Sequence, residues 1–419
     1  MGQDFMSYSL IKLASLYSGL HEYKSVKSYI EKFEHIIKEA GLEDYYIGSL
    51  STRKEPLRVK NAMVFIATGG TSSLGFDLFS ESERVYLIYH EEHNSLASAL
   101  NLASMLKSEN KFVKLYSLGE FEKVASTLRR SISGLNKVYG SKILVVGSLP
   151  LRLIKKGLVN AIRSHFGIEL EVLGLDSVYK ELPNADPRES EVKATELLAG
   201  AESSEISYHD LLTSVSIYLA IRRVVETKSA KVVAIGCFDL LKDLNNTGCI
   251  AVAELIREGV IASCEADVSS SIVMKLLKEI SGLDPWIGNV SGLQEDEVEL
   301  SHCVVSRSVV KSYRLTTHFE SGKATSIEGV VEEGLPATIV SYDPLRSLWR
   351  VIEARVSRRS FSGKKCRTQV RFHVSPQAIK EIREDPIEGH YVVVFSNVVD
   401  EVSLAGELAG LNVQLFRLS

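Results

Sequence analysis

The sequence predicts an α/β protein: two doubly wound parallel α/β domains followed by a β-rich C-terminal domain. Through the first two thirds of the chain, short apolar runs alternate with stretches of helical periodicity, as in a parallel sheet covered on both faces. From about Glu297 the runs turn strand-like, rich in β-branched residues and separated by Gly and Pro turns. At 419 residues the chain exceeds one ordinary core, so two or three domains are expected. The boundaries read as 1–178, 179–296 and 297–419.

An amphipathic helix through Val26, Tyr29, Ile30, Phe33, Ile36 and Ile37 opens the first domain. Strands follow at Ala62–Ala67, Val85–Tyr89, Phe112–Tyr116, Ile143–Val146 and Leu170–Leu173. Helices near Leu96–Leu106, Phe121–Ile132 and Leu151–His165 lie between them. The polar stretch Glu181–Ser190, with Pro183 and Pro187, reads as a linker. The central domain has helices at Glu191–Leu198 and Leu211–Val225, a strand at Val232–Ile235 and a helix at Cys249–Arg257. Next come the apolar run Val260-Ile261-Ala262 and the acidic pair Glu265 and Asp267. A helix is striped by Val268, Ile272 and Leu276 and by Val273, Leu277 and Ile280, and an extended stretch ends at Asn289. The last domain carries strands at Val298–Val305, Ala337–Tyr342, Trp349–Val356 and Val370–Val374. A strand, helix and strand close it at Tyr391–Phe395, Val402–Leu408 and Val413–Phe416.

Composition narrows the function classes. With 45% hydrophobic and 24% charged residues the chain is of soluble globular type, and a net charge of −4 gives no basic surplus for nucleic acid or anionic membrane. The pairs Arg358-Arg359 and Lys364-Lys365 read as solvated loops. No apolar run approaches the ~18–20 residues that span a bilayer. Asp4 and the lack of a cleavage site speak against a signal peptide, and Phe5-Met6 gives no support for myristoylation. Five cysteines without CxxC spacing argue against a zinc ribbon or a disulfide framework. They fit small buried hydrophobes in a cytoplasmic protein.

The acidic pair is the strongest local signal, because carboxylates at a strand end are costly to bury unless paired, hydrogen-bonded or metal-bound. Gly69-Gly70-Thr71 reads as a strand-to-helix turn or as an anion-facing set of N–H groups, without a Walker Lys or spaced Rossmann glycines. His90-Glu91-Glu92-His93 lacks helical zincin spacing. Asp239, in Cys237-Phe238-Asp239, ends a strand and has two readings, lining a pocket or capping the next helix. His302 reads as an ordinary strand histidine. His318 and Glu320 alternate on one face if extended, as do Arg367 and Gln369 in Cys366-Arg367-Thr368-Gln369. Gly389-His390 opens the strand Tyr391–Phe395.

With these residues in place, the order of elements resembles the L-fucose isomerase and L-arabinose isomerase superfamily of ketol isomerases. Glu265, within Cys264-Glu265-Ala266-Asp267, is similar to the family's metal-binding Glu at a helix start. Asn289 falls 24 residues later, where the family has a metal-binding Asp. His390 matches the family's third ligand, counted back from Leu411-Asn412-Val413. His93–Leu96, Gly69–Thr71, Cys237–Leu240, His318–Gly322 and Cys366–Gln369 look like stretches of isomerase-like relatives. The resemblance implies a metal-dependent aldose–ketose isomerase acting on a sugar through an ene-diolate. Mn²⁺ is the expected cofactor and Mg²⁺ the alternative, with Glu265, Asn289 and His390 as ligands. Glu265 would be the base and Asp267 would orient it or a water. Asp239, His318, Glu320, Arg367 and Gln369 would hold the sugar. A homo-oligomer, trimeric or hexameric, is implied as well. Asn289 departs from the family: an amide can ligate a hard cation but carries no charge and takes no proton. The departure leaves a second expectation open, a sugar- or metabolite-binding homologue without turnover.

Overall fold

A computed structural model describes residues 9–21, 23–52, 55–149, 151–359, 361–387 and 389–418. The expectations about the first eight residues lie outside the described residues. The chain forms two compact units, residues 1–132 and 133–419.

The first unit is built on five strands: β1 (Ser9–Leu16), β2 (Tyr46–Leu50), β3 (Val59–Ile66), β4 (Arg84–Tyr89) and β5 (Phe112–Ser117). All neighbouring pairs are parallel, in the order β2-β1-β3-β4-β5. The central strand β3 is buried at every position, and Leu16, Val64, Ile66, Leu87 and Leu102 share its core. The helices Tyr23–Glu39 and Ser95–Ser108 occur where apolar periodicity predicts them, and the helix Ser72–Phe79 follows the Gly69-Gly70-Thr71 turn. Two strands escaped the sequence reading. β1 interrupts its apolar run with Lys12 and Ser15, and β2 is a short, half-buried edge.

The second unit begins with another parallel sheet of β6 (Lys142–Val146), β7 (Glu169–Leu173), β8 (Val232–Ile235) and β9 (Ile261–Ser263), ordered β7-β6-β8-β9. The stretch read as a linker is helical instead. Asp186 accepts from the Arg188 N–H as the N-cap of the helix Pro187–Gly200, with Pro187 in its first turn, where a missing N–H costs nothing. Those prolines mark a helix start rather than a break.

The remainder is β-rich, with β10 (Trp286–Leu293), β11 (Glu297–His302), β12 (Ser312–Thr317), β13 (Thr325–Val330), β14 (Pro336–Asp343), β15 (Leu348–Arg359), β16 (Thr368–His373), β17 (Tyr391–Val394) and β18 (Asn412–Phe416). β12 and β13 form a separate hairpin. The others run β14-β17-β10-β11-β16-β15-β18, and β14 also pairs with β15. That extra pairing closes six antiparallel strands on themselves, which removes exposed sheet edges. Closure also fixes which residues meet. β10 is flanked by β11 and β17, so Asn289, His302 and His390 lie on three neighbouring strands or their ends.

Candidate active site

β8 and β9 are adjacent and parallel, so the turns that follow them meet at the carboxyl end of the sheet, where open α/β sheets present ligand groups. After β9 the chain turns through Glu265 (φ 57°) and Ala266 (φ 52°), two successive non-glycine residues in the left-handed region. Each costs about 1–2 kcal/mol, so the surroundings must hold the turn in place. Part of that hold is the Ala266 N–H donating to the Ile235 carbonyl at 2.9 Å. Asp267 then caps the helix Val268–Ser281, accepting from the Ser270 N–H at 2.9 Å and the Ser270 hydroxyl at 2.7 Å. The same carboxylate meets His390 Nδ1 at 2.9 Å. Gly389 (φ 97°) swings His390 into this contact, and a Cβ there would lie 3.3 Å from Asp267 Oδ2.

The other face of His390 completes the cluster. Its Nε2 lies 3.6 Å from Glu265 Oε1 and 3.3 Å from His302 Nε2. One ligand atom from each of Glu265, His302 and His390 falls within 4.8 Å of the others. Burial pushes the His390 imidazole down, but its hydrogen bond to Asp267 and the neighbouring Glu265 carboxylate outweigh that and raise it to about 9. Both carboxylates sit below their ordinary range, since His390 overcomes the burial that would raise them. His302 is pushed down to about 3, by burial first and by His390 next. A neutral His302 whose Nδ1 accepts from the Val304 N–H at 3.2 Å carries its proton on Nε2 once His390 Nε2, 3.3 Å away, has given up its own. In this orientation His302 is a hydrogen-bond donor to the pocket, although its distances alone would allow it to ligate.

The pocket is lined by Glu265, Asn289, His302, His318 and Glu320, with Phe238, Thr247 and all five cysteines. His318 and Glu320 arrive on a tight turn rather than a strand. β12 ends at Thr317, and the Gly322 N–H donates to the His318 carbonyl at 2.8 Å. Three expected residues lie elsewhere. Asp239 accepts from the Ser148 N–H at 3.3 Å, within the first turn of the helix Cys237–Leu244. Arg367 is held by the Thr317 carbonyl at 2.7 Å and hydroxyl at 2.9 Å, over the Phe319 ring. Gln369 donates to the Ser362 and Cys366 carbonyls. Arg367 precedes β16 while Gln369 is inside it, so simple alternation does not apply. Against the expectation of no disulfide, Cys237 and Cys264 are bridged. They are 27 residues apart, but they follow neighbouring strands, which spacing could not reveal.

A divalent cation fits this donor set. His390 gives its Nδ1–H to a carboxylate and turns Nε2 toward a second carboxylate, the arrangement that orients a ligating histidine. The cluster already draws a positive charge, a proton on His390, and its Glu265 and His302 line a cavity of ≈ 30 Å³. That cavity suits an ion or a water. No family model matches the chain. Among curated proteins the chain is similar to the sulfoquinovose isomerases of Priestia aryabhattai and Priestia megaterium. Each is 23% identical over 306 residues, which span 68% of this chain and 66% of the relative, just under two thirds of its length. The sulfoquinovose isomerase of Alkalicoccus urumqiensis is 24% identical over 210 residues, 46% of each chain. These similarities agree with the resemblance to the L-fucose isomerase-like superfamily. His302 is the site residue that sequence reasoning missed; it lines the same pocket as Asn289, and no local pattern marks it.

Proposed function

We propose that the chain is a sugar isomerase interconverting an aldose and a ketose by proton transfer between adjacent carbons. The observation that carries this reading is the Glu265–His390–Asp267 constellation at the carboxyl end of the sheet, with His302 beside it. The similarity to sulfoquinovose isomerases supports the reaction class. Mn²⁺ or Mg²⁺ would be held by Glu265, His390 and the Asn289 amide oxygen, oxygen-rich ligation of the kind such cations accept. When bound, the cation stabilises negative charge developing on the sugar carbonyl oxygen.

The chain's own groups divide the remaining work. Glu265, ionised at neutral pH, takes the proton from the carbon beside the carbonyl and returns it to the neighbouring carbon on the same face. His302 supplies an Nε2–H to a sugar oxygen. Asp267 holds the Nδ1–H of His390 and so fixes the ring. His318 and Glu320 line the mouth, where sugar hydroxyls would reach them. The subunits would assemble as a homo-oligomer, as in related ketol isomerases.

The test is incubation with Mn²⁺ and a panel of aldoses in D₂O, following deuterium at C1 and C2 by NMR. Glu265→Gln should lower any exchange by at least about 100-fold. Absence of exchange in every sugar would overturn the proposal. Asn289 favours a second reading, sugar binding without turnover, since the amide removes the second acid. Tight sugar and Mn²⁺ binding without any exchange would select it.

A further inference from the structure

All five cysteines of the chain line the one pocket that also holds Glu265, Asn289 and His302. Burial alone does not explain this, because apolar interior positions suited to cysteine are spread over both units. Their arrangement is ordered. Cys237 and Cys264 are bridged, next to Glu265. Cys249 is buried on the helix Cys249–Arg257, and its thiol is pushed up to about 12, by burial first. The remaining two, Cys303 and Cys366, line the same ≈ 30 Å³ cavity. The Phe319 N–H donates to the Cys303 sulfur at 3.4 Å. With Cys366 beside it, the Cys303 thiol is held down at about 6. A sulfur that accepts a backbone N–H next to a second thiol is arranged as an anion.

We propose that Cys303 and Cys366 form a peroxide-reactive dithiol at the wall of the sugar pocket, with Cys303 as the attacking thiolate and Cys366 as the resolving thiol. The step balances with hydrogen peroxide as the oxidant. The Cys303 thiolate attacks one peroxide oxygen, the O–O bond breaks, and hydroxide leaves as the sulfenic acid forms. The Cys366 thiol then attacks that sulfur. A disulfide forms, the S–O bond breaks, and water leaves. Two electrons pass from the two sulfurs to one peroxide. The size of the cavity, ≈ 30 Å³, favours this small oxidant over bulky disulfides. The bond would tie the segment before β16 to the end of β11, next to His302, and shut the pocket until a thiol reduces it. The chemistry is independent of the isomerase reading, because it is read by mass and not by sugar turnover.

The experiment treats the full chain with hydrogen peroxide, quenches with an alkylating agent and maps the peptides by mass spectrometry. The expected product is a Cys303–Cys366 crosslinked peptide, 2 Da lighter than its two halves and reversed by dithiothreitol. Cys303 should react at least about tenfold faster than Cys249. Cys366→Ser should leave a Cys303 sulfenic acid that dimedone traps, and Cys249→Ser should behave as the parent. If Cys303→Ser fails to fold, the parent crosslink and the dimedone adduct of Cys366→Ser still decide. No crosslink in the folded parent, or oxidation at Cys249 as fast as at Cys303, would overturn the proposal.

Discussion

Proton and cation should compete for one nitrogen, His390 Nε2, and their competition is measurable. Without metal, the folded state raises His390 from 6.5 to about 9. A raised folded value means this stabilisation is fully present below pH 6.5 and is lost as pH rises toward 9. It amounts to about 3 kcal/mol in all, from a shift of about 2.5 units. His302 acts in the opposite window. Its value falls from 6.5 to about 3, so the unfolded chain binds the proton more readily, and stability is lost as pH drops below 6.5. Between them the two histidines place the metal-free optimum near pH 6.5. Mn²⁺ must displace the His390 proton, so its Kd should fall close to tenfold for each pH unit between about 7 and 8.5 and level off above 9. The assay is anaerobic titration calorimetry with Mn²⁺ at several pH values, in two buffers of different ionisation heat to count the released proton. A Kd flat across that window, with no proton released, would refute His390 as the ligand.

Other expectations follow from the same contacts. Asp267→Asn removes the carboxylate from His390 Nδ1 and should weaken Mn²⁺ binding about 10- to 100-fold, while thermal unfolding shows a modest loss from the weakened helix cap. Asn289→Asp supplies the missing charge and should tighten Mn²⁺ at pH 8; weaker binding by calorimetry would count against an amide ligand at this position. Gly406→Ala places a Cβ 2.5 Å from the fully buried Trp349 ring and should cost roughly 1–3 kcal/mol in urea unfolding, without altering cation affinity at the distant pocket.

Most of the fold was legible because its cores obey two periods. The strand Val232–Ile235 and the helix Cys249–Arg257 are read to the residue, since continuous apolar runs leave no other arrangement. What escaped was set by tertiary pairing. β2 is a half-buried edge, and the hairpin β12–β13 carries a buried Glu328 that pairs with Arg314, so its pattern looks polar. The site divides in the same way. Glu265, Asp267 and His390 are visible because carboxylates at a strand end and a Gly-His before a strand are locally odd. His302 is an ordinary strand residue until the fold brings the end of β11 into the pocket with Asn289. Arg367 and Gln369 show the converse: donors that alternation aims at a ligand are taken up by backbone carbonyls a few residues away.

Asn289 and His302 are best understood together. Glu265 and Asp267 bring two negative charges to the cluster, and one divalent cation with a neutral His390 cancels them. An acid at position 289 would leave the loaded site with a net negative charge, tightening the cation but spending part of its field on the protein's own ligand. On the proposed function, the amide would leave that field for the sugar oxyanion, at the cost of weaker cation binding. It also bears on His302, which lines the same pocket: a carboxylate at 289 would favour the imidazolium, whereas an amide lets burial and His390 keep it neutral. A neutral imidazole gives one N–H to the pocket without repelling a cation. The uncharged residue at 289 and the uncharged ring at 302 would therefore serve one electrostatic arrangement of the proposed site, in which a bound cation would be the one positive charge facing the sugar.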